Sequence, residues 1–111
     1  MIIDQIKIVQ LVTRLDGPTQ TSYIVQILGD LSERTKYLNM DDDMEPILNF
    51  TRIIDKLLHS LVKSGQVSGT DRVRLRGVLS RARVAIVGKA EFGRGMEVLG
   101  PVFDGSFEAL E

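Results

Sequence analysis

Between Thr19 and Leu38 the large apolar side chains return at the period of an α-helix. Ile24, Ile27, Leu28, Leu31, Thr35 and Leu38 fall within about 100° of arc on a helical wheel. Asp30, Glu33, Arg34 and Lys36 lie outside that arc. A helix with one apolar stripe is unstable alone and needs other elements to cover it. This segment therefore predicts a packed helical protein, with Thr19 or Thr21 capping the first turn through a side-chain oxygen.

Three more segments repeat the pattern. From Ile2 to Leu15, Ile8, Leu11, Val12 and Leu15 follow the i, i+3, i+4, i+7 spacing of a helix face. Ile2, Ile6 and Val9 widen it, and the density of β-branched residues makes a strand the competing reading. Asp16-Gly17-Pro18 then interrupts the chain. Asp41, Asp42 and Asp43 precede Met44, Glu45 and Pro46, carboxylates and a proline suited to a helix start. The run lacks the glycine and distal Glu of a calcium loop. The third helix is predicted from about Met44 to Ser64, with Ile47, Phe50, Ile54, Leu57, Leu58, Leu61 and Val62 on its core side and Gly65 at its end.

The fourth helix carries two apolar strips. Leu75, Leu79, Ala82 and Ile86, widened by Val78 and Ala85, form the main one; Val73, Val84 and Val87 form a second. Arg72, Arg76 and Arg83 border one edge of the main strip, and Arg74 and Arg81 the other. Ser68 and Asp71 have the spacing of a capping box. Residues 72–76 alternate strictly, so a short strand competes there.

After Gly88 the composition changes. Five of the ten glycines lie between Gly88 and Gly105, and Pro101 adds a further break. The expectation is an all-α bundle of four principal helices, near residues 2–15, 19–38, 44–64 and 70–88. A bundle domain over 1–88 would be followed by a flexible, glycine-rich, apolar and acidic tail over 89–111. At 111 residues, area scaling leaves about two-thirds of the unfolded surface buried, enough for one core and no second domain.

A formal net charge of -1 hides a strong segregation. Residues 1–51 hold eight acids and four bases, residues 52–94 three acids and ten bases, and residues 95–111 four acids and no base. A basic middle beside an acidic end can pair internally, pair between two copies, or be read by another molecule.

Several chemistries lack their residues. With no cysteine, thiolate metal sites, disulfides and Cys nucleophiles are excluded. His59, the single histidine, projects with Arg52 and Lys63 away from the apolar stripe, so a Ser–His–Asp arrangement has no pocket to work in. Gly88-Lys89 lacks the upstream glycine and following Ser or Thr of a phosphate loop. Gly93-Arg94-Gly95 lacks the strand–turn–helix setting of a dinucleotide site. No apolar run reaches the roughly 18 residues that span a bilayer. The apolar start is interrupted by Asp4 and Lys7 without a cleavage site, against a signal peptide. These features predict an intracellular protein of cytoplasm or nucleus, with no enzyme activity, cofactor or metal.

What remains is binding. The first expectation is a small helical adaptor joined to another protein or to itself. Its contact residues would be Arg72, Val73, Arg74, Arg76, Arg81, Arg83, Val84 and Val87, with Phe103, Phe107 and Leu110 as a docking tail. The alternative is nucleic-acid binding by the arginine-rich segment 71–94. Against it, the Ser64–Thr70 turn exceeds the three or four residues of a helix-turn-helix, and the helix has no Asn or Gln for base edges. Membrane-surface binding is weaker still, since the helix has no Trp or Phe to insert.

Overall fold

A computed structural model describes residues 5–37, 40–89 and 95–111. It contains α1 (Gln5–Thr13), α2 (Gly17–Arg34), α3 (Met40–Lys63), α4 (Gly69–Lys89) and α5 (Gly95–Ala109), with a 3-10 turn over Thr35–Tyr37. No strand occurs among the described residues, so the strand alternatives at the first helix and at residues 72–76 both give way to helix. The all-α expectation holds, but the count of four principal helices becomes five.

Local chemistry accounts for the boundaries. The start of α2 lies two residues before the predicted one, because Asp16 caps it. Its Oδ1 accepts the backbone N–H of Thr19 at 2.8 Å, and Pro18 occupies the first turn. The Asp-Gly-Pro break is thus itself the cap, where a missing N–H costs nothing. That hydrogen bond holds the Asp16 carboxyl below its ordinary value. At the end of α3, Gly65 adopts φ +70°, and Gln66 N–H reaches back to Leu61 O at 3.3 Å. Only glycine adopts that turn without strain. Ser68 Oγ then accepts Asp71 N–H at 3.1 Å and opens α4.

Four helices form a ring: α2 packs on α4, α4 on α5, α5 on α3, and α3 more lightly on α2. The first helix lies mainly against α3. The shared core includes Ile24 and Leu28 of α2, Ile54, Leu57, Leu58 and Leu61 of α3, and Leu75, Leu79 and Ile86 of α4. Gly17 brings the α1–α2 and α3–α4 turns together, since a Cβ there would stand 2.4 Å from Gln66 O. Gln20 closes the same corner by donating to Leu15 O at 2.7 Å.

The predicted flexible tail is corrected from residue 95 onward. Leu99, Phe103, Ser106 and Leu110 recur at i, i+4, i+7 and i+11, and all four are buried. Burying each large apolar side chain is worth about 1.5–3 kcal/mol. Each helical glycine costs about 1 kcal/mol relative to alanine. Burial wins over Gly100 and Gly105, and the segment becomes α5. Residues 90–94 of the predicted tail lie outside the described residues.

Candidate interaction surface on the fourth helix

Two sides of α4 do different work. On the side facing α5, three of the predicted contact arginines are already engaged. Arg72 Nη1 donates to the main-chain oxygen of Glu111 and Arg76 Nη2 to that of Leu110, both at 2.6 Å. Arg83 Nη2 lies 2.8 Å from Asp104 Oδ1, with its guanidinium 5.8 Å from the centre of the Phe107 ring. The last carbonyls of a helix lack intrahelical donors and sit at the negative end of its dipole. Arg72 and Arg76 supply both donor and charge at the end of α5. These arginines therefore join two helices of one chain.

The tail residues have the same fate. Phe103 is 1% exposed and Leu110 0%, while Phe107 is partly buried against the core. They attach α5 to the bundle and present no free docking segment. The sequence signal existed: the 99–103–106–110 spacing is helical, but the glycines and Pro101 mask it.

The opposite side of α4 is open. Val73 is 67% exposed and Val84 72%. With exposed Gly77 and Ser80 between them, they occupy about 60° of arc at the helical period. Arg74 and Arg81 border the edge of this strip that faces away from α5, both exposed, and neither meets a carboxylate among the described residues. The side chain of Val87, the third valine expected here, lies outside the described part. Lys89 is the last residue of α4, and Arg94 lies outside the described residues.

Two other places bear on chemistry. Ser106 Oγ donates to Asp55 Oδ1 at 2.9 Å, and His59 Nε2 lies 3.2 Å from the same oxygen. The carboxylate stands between hydroxyl and imidazole, and Ser106 is 2% exposed. This trio fastens α5 to α3, with the Ser106 hydroxyl buried in the seam. A cleft of about 300 Å³ opens between α2 and α3, with Ile27, Leu31, Ile47, Pro46 and Phe50 as walls and Asp30 and Arg34 also lining it. The sequence placed Phe50 on the core side; it stands at this cleft, 36% exposed. Among the described residues, no cluster of three His, Asp or Glu side chains is placed to hold a metal ion. No described helix is long and apolar enough to cross a membrane.

No family model, curated protein or solved structure matches the chain.

Proposed function

We propose that this chain is a non-catalytic protein-interaction module, a small adaptor whose docking surface is the outer face of α4. One observation carries the reading: Val73 and Val84 stand exposed on a helix that is held firmly from its other side. Exposed apolar residues on a rigid helix, with arginine along one edge, offer surface whose burial by a partner is favourable. Partner contact would bury both valines, while Arg74 and Arg81 set orientation and approach through charge.

The alternative, nucleic-acid binding, loses much of its cationic surface to the α4–α5 seam. Arg72, Arg76 and Arg83 are committed there, leaving Arg74 and Arg81 as the free guanidinium groups of this helix. Phosphate recognition draws on many simultaneous cationic contacts. A partner inside the cell, in cytoplasm or nucleus, suits a chain that contains no cysteine.

The test is photo-crosslinking in the native cell, with a photoreactive residue at position 73 or 84 and a control at exposed Gln26. Discrete protein adducts from 73 and 84, unchanged by nuclease and absent from 26, are expected. Adducts with nucleic acid alone, or none above the control, would overturn the reading.

A further inference from the structure

The outer faces of α4 and α5 are opposite in charge. The described helix α4 contains one acid and six bases, and two of its arginines, Arg74 and Arg81, are exposed beside the valine strip without a carboxylate partner among the described residues. Helix α5 contains Glu97, Asp104 and Glu108 and no base. Those three acids are exposed and share one face with Pro101, at positions 97, 101, 104 and 108. This is the same i, i+4, i+7, i+11 spacing as Val73, Gly77, Ser80 and Val84. Both strips therefore run about 16 Å along their helices.

Resting on the reading of α4 as a docking face, we infer that its occupant is α5 of a second copy of this chain. The two helices lie side by side and antiparallel, as Arg72 to Glu111 and Arg83 to Asp104 require. A two-fold axis running along them sets each α4 over the other copy's α5, making the same contact twice, as isologous dimers do. This axis keeps height along the helices, so the pairs of Arg72 with Glu111 and Arg83 with Asp104 also set the register between copies: Val84 is covered, and Arg74 and Arg81 come opposite Glu108 and the neighbouring Asp104. Docking α4 on α4 instead would set Arg74 of one copy beside Arg81 of the other. Like charges at that distance disfavour it.

Sedimentation velocity of the full chain, from low micromolar to sub-millimolar concentration, tests this. A monomer–dimer equilibrium that weakens with added salt is expected, because exposed charge pairs are screened. The double variant R74E/R81E, and separately E108K, should each weaken self-association by at least about ten-fold. An equimolar mixture of the two variants should restore a mixed dimer. Asp104 is left unchanged because Arg83 holds it, and circular dichroism checks that each variant keeps its helix content. A monomer at every concentration, or a dimer indifferent to both variants, overturns the inference. So does failure of the mixture to restore pairing while both variants remain folded. If the chain stays monomeric and residues 73 and 84 still crosslink to a different protein, the second copy is excluded and the docking face survives. If crosslinks are absent as well, both fail.

Discussion

Arg76 donates from Nη2 to the main-chain oxygen of Leu110 at 2.6 Å, joining residues 34 apart in the chain. The bond shows what most of the arginine on α4 is for. A helix end near the surface must satisfy its last carbonyls with something, and here a neighbouring helix does it with a fixed cation. One turn earlier on α4, Arg72 donates to the main-chain oxygen of Glu111, just beyond α5.

Truncating that cation should loosen α5 before anything else. Arg76→Ala is expected to lower stability by about 1 kcal/mol, since the group is partly screened by solvent. Amide exchange should accelerate first in residues 99–110. Unchanged denaturation and exchange would mean that the contact is not maintained in solution.

Phe103 is the largest fully buried side chain of α5. Phe103→Ala should cost about 3–5 kcal/mol, measured by chemical denaturation. A loss below about 1 kcal/mol, the range of surface changes, would mean that α5 is not packed as described.

The exposed valines predict the reverse pattern. Val73→Ala with Val84→Ala removes apolar contact surface yet replaces β-branched residues with the best helix former. Stability should hold or rise by a few tenths of a kcal/mol per site, while self-association in sedimentation falls. A clear loss of stability would place these valines in the core.

Two glycines separate contact from propensity. Gly17→Ala drives a Cβ into Gln66 O and should destabilise by about 1–3 kcal/mol through forced backbone shifts. Gly29→Ala meets nothing within 4 Å and should stabilise by up to about 1 kcal/mol. Thermal denaturation of both variants gives the comparison, and equal effects would contradict the turn-to-turn contact.

Asp16 supplies a pH dependence. Its folded-state pKa lies below the unfolded value because Thr19 N–H donates to the carboxylate. The cap's contribution is therefore complete above the unfolded pKa and fades as pH falls through the folded one. Asp16→Asn keeps a capping oxygen without the titration. Denaturation across the acid range should show a shallower decline for this variant, and parallel curves would remove the cap from acid sensitivity.

The helices were legible where burial and propensity agree. Ile24 and Leu28, Leu57 and Leu61, and Leu75 and Leu79 sit in the core with the spacing that announces them. The division of α4 into two apolar strips was legible as well, since Val73 and Val84 face away from Leu75 and Ile86 on any helical wheel. Its arginine pairing was not. Arg72 and Arg83 find partners at Glu111 and Asp104, and such distant pairings leave no periodic trace. Helix α5 was hidden because glycine weakens local preference, whereas Leu99, Phe103 and Leu110 are fixed by packing on other helices. The α2–α3 cleft depends on how two helices diverge, which one-dimensional spacing does not encode.

The attachment of α5 also has a consequence for synthesis. Ser106 must find Asp55, 51 residues earlier, and Leu110 must find Arg76. On a ribosome, α2, α3 and α4 emerge first, with one wall of their ring unbuilt. Until residues 99–110 clear the exit tunnel, the apolar surfaces that Phe103 and Leu110 seal stay wet and adhesive. Closure of this ring waits on α5, and in that interval the nascent chain exposes the surface through which it can aggregate.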